Sequence, residues 1–137
     1  MKSVAAILAV LAVASVSCSG RHGYDPATCE ELSIKIERHD SLTQTDYSAM
    51  IDQNEQILRY LIEESERLQD TPDDERYAAF RELLAEPVYR ERFSYLFTLG
   101  SALYQADELG LLDRSNARAY RRLDEYNARF AAISDRM

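Results

Sequence analysis

Apolar residues recur along most of this chain at intervals of three and four positions, and no stretch alternates strictly between apolar and polar residues. The clearest example follows Thr43, where one arc of a helical wheel at about 100° per residue collects the apolar side chains. These are Met50, Ile51, Ile57, Leu58, Leu61, Ile62 and Leu68. The pattern predicts a surface helix of about 25 residues, with Asn54 as a polar interruption of its buried face.

Capping residues and prolines predict where five helices begin. In chain order these signals are Asp25-Pro26 with Thr28 and Glu31, Thr43 with Asp46, Thr71-Pro72, Pro87, and Asp113 or Ser115. Gly110 has the position of a left-handed terminator after the fourth helix.

The fourth helix, from about Val88 to Leu109, is apolar around most of its circumference, which predicts that it is the central helix. Its apolar residues are Tyr89, Phe93, Leu96, Phe97, Leu99, Leu103 and Tyr104. The third and fifth helices are expected to bury Tyr77, Phe80 and Leu84, and Tyr120, Leu123, Tyr126, Phe130 and Ile133.

Short connections between long amphipathic helices favour antiparallel neighbours. The scarcity of turn residues, four glycines and three prolines, also favours helices over short strands. The prediction is therefore an all-α fold, an up-and-down antiparallel bundle of four to five helices spanning residues 25–137.

The first seventeen residues have the form of a secretory signal peptide. Lys2 precedes an apolar run over residues 4–14, and Ser15-Val16-Ser17 is a small-residue exit. The run is too short to span a membrane as a helix. We therefore expect residues 1–17 to be cleaved from the mature protein.

Cys18 directly follows that exit, and residues 1–19 resemble the lipobox leader of bacterial lipoproteins. The resemblance implies that Cys18 is lipidated and becomes the new N-terminus, so that residues 18–24 form a membrane tether. Ser19 resembles the sorting context of outer-membrane lipoproteins, which implies an outer-membrane location facing the periplasm.

An alternative remains because Ser15 stands where the lipobox has an aliphatic residue. Ser15 and Ser17 also fit ordinary signal peptidase, which would release a secreted or periplasmic soluble protein. The two readings differ at Cys29. A lipidated Cys18 leaves Cys29 as a lone thiol that must be buried, whereas an unlipidated Cys18 could form a disulfide with it.

The charge of the chain narrows the classes of partner. The full chain has a net charge of −8, and loss of Lys2 makes the mature protein more acidic still. Such a protein is a poor ligand for nucleic acid or an anionic membrane surface. The spacing of its histidines, cysteines and carboxylates predicts no metal site, cofactor or catalytic residue.

Two polar strips are candidates for contact. Six arginines of the fifth helix fall within an arc of about 100°: Arg114, Arg118, Arg121, Arg122, Arg129 and Arg136. They form either a contact strip for an anionic partner or an exposed face paired with acidic neighbours such as Glu125. On the fourth helix, Ser94, Thr98, Ser101 and Gln105 form an uncharged strip that, with Gly100, either lines a ligand cleft or allows close helix packing.

These features favour a lipid-anchored, non-enzymatic envelope protein that acts through contact with an unidentified envelope protein. In general terms it resembles the secretion pilotins, which are small helical outer-membrane lipoproteins. One alternative is an acidic inhibitor or immunity-type lipoprotein that binds a basic enzyme. A second alternative is a small-molecule binder or hydrolase. The oligomeric state does not follow from the sequence.

Overall fold

The computed structural model describes residues 23–136, and the predicted signal peptide and Cys18 lie outside them. The five helices are α1 (Pro26–Glu37), α2 (Gln44–Gln69), α3 (Asp73–Ala85), α4 (Pro87–Glu108) and α5 (Arg114–Ser134). The described range contains no strand. The predicted all-α bundle is therefore confirmed.

Most of the predicted helix ends are also found. Thr43 and Asp46 form a complete capping box at α2. Asp113, rather than Ser115, caps α5 by accepting a hydrogen bond from the Asn116 N–H at 2.8 Å. Gly110 follows α4 with a φ of 70°, in the left-handed region where a side chain would be strained.

The predicted Asp25 cap of α1 is confirmed, and its carboxylate accepts from the Ala27 N–H and the Thr28 hydroxyl. Two other predicted capping interactions are wrong. Because Thr28 donates to Asp25, it does not begin a capping box with Glu31. At α3, Thr71 caps nothing; its hydroxyl bonds back to the Arg67 carbonyl.

The turn between α2 and α3 is stabilised by Arg76 instead. Its guanidinium donates to the carbonyls of Leu68, Gln69 and Thr71, each at 3.1 Å. A cation at a helix C-terminus satisfies carbonyls that have no partner within the helix.

The central helix is α2, which corrects the expectation that the fourth helix would hold this place. Helix α2 packs against all four other helices, and α1 and α3 also contact α4. The fully buried side chains Ile57, Leu58 and Leu61 lie along it. The core is therefore organised around one long helix with a continuous apolar arc.

Helix α5 runs parallel to α2, and side-chain hydrogen bonds join the two helices at both ends and along their length. The Gln44 amide donates to the Leu111 carbonyl and accepts from the Asp113 N–H and the Asn116 amide. Further along, Arg59 donates to the Tyr126 hydroxyl, and Glu66 pairs with Arg129 at 2.9 Å. At the far end, Gln69 donates to the Ile133 carbonyl.

The start of the described chain is held against α2 and α4. Gln53, which is 3% exposed, donates to the Gly23 carbonyl and accepts from the Asp25 N–H. The Tyr24 hydroxyl donates to Glu91 at 2.8 Å. The Arg92 guanidinium lies between the rings of Tyr24 and Tyr60, at 4.5 and 4.1 Å from their centroids, a cation–π arrangement that stabilises both contacts. Tyr24, predicted as the end of the tether, thus packs on the bundle.

Candidate functional site

A stripe of aromatic residues on α4 faces solvent. Phe93, Phe97 and Tyr104 are 46%, 73% and 61% exposed. The sequence pattern predicted all three as core, so this part of the prediction is wrong. The same helix does bury Leu99, Leu103 and Ala106 against the core. Helix α4 therefore has two apolar faces, of which the bundle covers one.

The uncovered face borders a groove between α4 and α5, with α3 at one end. A cavity of about 760 Å³ at the α3 end continues past Phe93 into a second of about 450 Å³. The aromatic groove, as we call it, is lined chiefly by Tyr77, Phe80, Leu84, Tyr89, Phe93, Leu96, Phe97, Tyr104, Tyr120 and Phe130. Isolated exposed apolar residues are ordinary, but a contiguous set of this size marks a binding surface.

Helix α3 contributes to the groove and not to the closed core. Tyr77 and Leu84, predicted to be buried, are 72% and 42% exposed, and Phe80 is partly buried. The one fully packed position of α3 is Leu83. The helix therefore packs on α2 and α4 with one edge while its aromatic side remains open.

The groove follows from how α5 is held. The polar contacts of α5 run to α2, through Gln44, Glu66 and Gln69. Helices α4 and α5 consequently pack on α2 rather than closely on each other. The side chains of Tyr120 and Phe130 border the groove on its α5 side.

Gly100 lies in the groove where α4 crosses α2. A Cβ at this position would lie 3.4 Å from the Asn54 amide nitrogen, an ordinary contact distance. Asn54 itself is buried, and its Oδ1 has no hydrogen-bond partner between residues 23 and 136. Among the described residues, no backbone atom of another helix lies within 4 Å of that Cβ, so the close helix packing proposed for the uncharged strip is not seen at Gly100. Ser94 and Ser101 of that strip border the two cavities.

Opposite charges stand at the two ends of the α4 stripe. Arg90 borders the larger cavity, is exposed and makes no ion pair with any described residue. Asp107 and Glu108 lie at the other end of α4. Burial raises the pKa of Tyr120, and the nearby charges of Asp107 and Asp124 raise it further. The groove is therefore basic at its α3 end and acidic at its other end.

The six arginines of the predicted contact strip are all exposed, five of them on α5 and Arg136 just after its end, but they differ in their contacts. Arg129 pairs with Glu66, and Arg136 donates to the Ala132 carbonyl. The other four form no hydrogen bond or ion pair within the described part of the chain: Arg114, Arg118, Arg121 and Arg122. The expected pairing with Glu125 is not formed.

Of the two cysteines, only Cys29 lies among the residues that the structure describes. Cys18 lies outside the described residues, so its lipidation stays a prediction. Within residues 23–136 Cys29 is a free thiol, and it has no exposed surface. Burial, together with the charges of Asp25 and Glu91, raises its pKa to about 12. A thiol that is protonated and buried is inert at neutral pH.

Tyr60 of α2 has internal partners. Its ring packs against Tyr89 at a centroid distance of 6.4 Å and beneath Arg92. Residues 23–136 contain no group of three or more histidine, cysteine or acidic side chains placed to hold a metal ion. Within the same range no helix has the length and apolar character needed to cross a bilayer.

Comparison with known proteins finds no matching family, no matching curated protein and no matching solved structure. The candidate surfaces therefore rest on their own geometry. Sequence reasoning missed the aromatic groove, although one signal pointed to it: the fourth helix has more apolar surface than one face of a helix needs.

Proposed function

We propose that this protein is a lipid-anchored, non-enzymatic helical protein of the bacterial envelope that acts through protein–protein contact. Cys18 attaches it to the outer membrane on the periplasmic side, and the aromatic groove is its contact surface. The observation that carries the proposal is the groove itself, in which Phe97 and Tyr104 remain mostly exposed. Aromatic residues in a partly enclosed groove are the usual anchors of protein interfaces.

The burial of Cys29 supports the anchored form. A disulfide with Cys18 would need the Cys29 sulfur at a place that Cys18 can reach. Cys29 instead packs in the core with its sulfur 3.5 Å from Gln53 Oε1, and it needs no covalent partner.

Metabolic labelling tests the anchor. Cells that express the full chain should incorporate [3H]palmitate into it, and the Cys18→Ala variant should incorporate none. Equal labelling of the two proteins would exclude the anchor.

A photoreactive amino acid in place of Phe97 tests the contact surface in cells. Ultraviolet irradiation should give a protein adduct of defined mass. The matched control is the same amino acid at Glu37, an exposed residue at the end of α1 that does not border the groove, and it should give no such adduct. No adduct from position 97, with the fold intact, would contradict a contact function for the groove.

The size and lining of the larger cavity favour a second candidate function, the binding of a small apolar ligand. Ligand cavities commonly measure about 300–1,000 Å³ and are mostly apolar with a few polar groups. The 760 Å³ cavity has this character, with Arg76 and Arg90 as its basic groups. Native mass spectrometry of the protein purified from envelopes should then show a bound small molecule, which the contact function does not require.

A further inference from the structure

The aromatic stripe of α4 is nearly self-complementary when the helix is reversed. Phe93, Phe97, Gly100 and Tyr104 fall within an arc of about 60° on a helical wheel. Reversal about the middle of the helix, near Leu99, brings Phe93 opposite Tyr104 and Phe97 opposite Gly100. A large ring thus meets the one position on the stripe that has no side chain.

The flanking charges obey the same symmetry. Arg90 and Glu108 are eighteen residues apart, which is five helical turns, so they lie on the same side of the stripe. When a two-fold axis relates two antiparallel helices, each side of one helix lies next to the same side of the other helix. Arg90 of one copy would therefore meet Glu108 of the other, at both ends of a contact about 27 Å long.

Neither charge is paired within residues 23–136. Arg90 and Glu108 are both exposed, and neither makes an ion pair with another described residue. We propose that the occupant of the aromatic groove is a second copy of this protein, with α4 of each copy packed antiparallel in the groove of the other. This inference rests on the proposed function, since it names the partner of the same surface.

The available area predicts a modest affinity in solution. The exposed parts of Tyr77, Leu84, Phe93, Phe97 and Tyr104 amount to on the order of 500 Å² per copy, below the roughly 800 Å² per partner of a standard interface. Two lipid anchors in one membrane raise the effective concentration of one copy for the other. We therefore expect a dimer that forms at the membrane and dissociates on dilution in detergent.

Cysteine cross-linking in cells tests the register directly. Two differently tagged full-length copies are co-expressed, one with Arg90→Cys and the other with Glu108→Cys. In the expected dimer the two new thiols face each other at one end. The other end keeps an intact Arg90–Glu108 pair, because each copy retains the residue that the other has lost. A short bifunctional maleimide should yield a mixed dimer.

Matched controls separate this register from chance collision. Either variant expressed alone should give no dimer through the new cysteine, since each thiol then faces a charged side chain. Glu108→Cys replaced by Glu37→Cys, at the end of α1 and outside the groove, should also give none. These controls carry the same Cys18 and Cys29, so any cross-linking through the native cysteines appears in every lane.

A charge exchange without added cysteines gives a second test. Arg90→Glu and Glu108→Arg each put like charges at both ends of the contact and should reduce co-purification of two tagged copies from formaldehyde-fixed cells by about tenfold or more. The double variant R90E/E108R restores opposite charges and should recover it. Because both residues are exposed, circular dichroism and the melting temperature should stay close to those of the parent.

The outcomes distinguish the two proposals. A mixed cross-link together with recovery in the double variant supports the second copy. A photo-adduct of Phe97 with a different protein, without a mixed cross-link, overturns the second copy and leaves the contact function standing. No adduct of either kind overturns both.

Discussion

The two apolar faces of α4 have similar residue types, but one face is buried and the other is exposed. On the closed face, Leu99 and Leu103 are fully buried against α2. On the open face, Phe97 and Tyr104 are mostly exposed. The difference does not lie in α4 itself. It lies in α5, which the Gln44–Asn116 contact holds on α2 instead of over the open face.

Replacement of one residue on each face gives the largest expected contrast. Leu103→Ala should lower the free energy of unfolding by about 2–5 kcal/mol, because it leaves a cavity in a packed core. Phe97→Ala should change it by no more than about 0.5 kcal/mol, since most of that ring already meets water. Urea unfolding of the two variants measures both values. A similar loss from each would mean that the open face is closed in solution.

Removal of the Gln44 side chain tests the origin of the groove. Gln44→Ala removes an acceptor from the buried Asn116 amide and from the N–H of Asp113, the cap of α5, and should cost about 1–3 kcal/mol. Hydrogen exchange should rise most in the first turns of α5. Gln69→Ala, which loses a single bond of 3.4 Å at the other end of α5, is the control and should cost less. Equal exchange at both ends would show that Gln44 does not position α5.

The start of α2, away from the groove, has a titratable contact between Asp46 and Lys35. Burial acts to raise the pKa of Asp46, but hydrogen bonds from the Thr43 N–H and from Lys35, at 2.9 Å each, bring it below its ordinary value. A lowered pKa in the folded protein stabilises it above the ordinary value of about 3.9, and this contribution is lost as the pH falls through the folded-state pKa.

Asp46→Asn should therefore cost on the order of 1 kcal/mol at pH 7, and its difference from the parent should shrink toward pH 3. Chemical unfolding across this range, with the exposed Asp135→Asn as control, measures the effect. A constant difference at all pH values would show that the charge of Asp46 contributes nothing.

The smallest effect on folding is expected at the outward side of α5. Arg118 and Arg122 have no partners among the described residues, so reversing both to Glu should change the free energy of unfolding by about 0.5 kcal/mol or less. Association with envelope fractions should change more than folding, as expected for a contact strip. Loss of cooperative unfolding with unchanged association would instead make these arginines structural.

The sequence predicted the helices well because their signals are local. The Thr43–Asp46 box, the Asp113 cap and Gly110 each act over a few residues. Burial was predicted less well, because it depends on which helices meet. Tyr77, Phe93 and Phe97 have helical spacing and large apolar side chains, and nothing local separates a core face from a groove. The bonds that decide the matter join residues about seventy positions apart, such as Gln44 and Asn116.

The hydrogen bond from Gln53 to the Gly23 carbonyl limits the distance between the bundle and a membrane to which Cys18 is attached. With Cys18 lipidated as proposed, five residue steps join the lipid to Gly23, which is held on the bundle together with Tyr24. Five residue steps span at most about 18 Å. The bundle then stays close to the bilayer, so any partner that binds it must also be at the membrane surface.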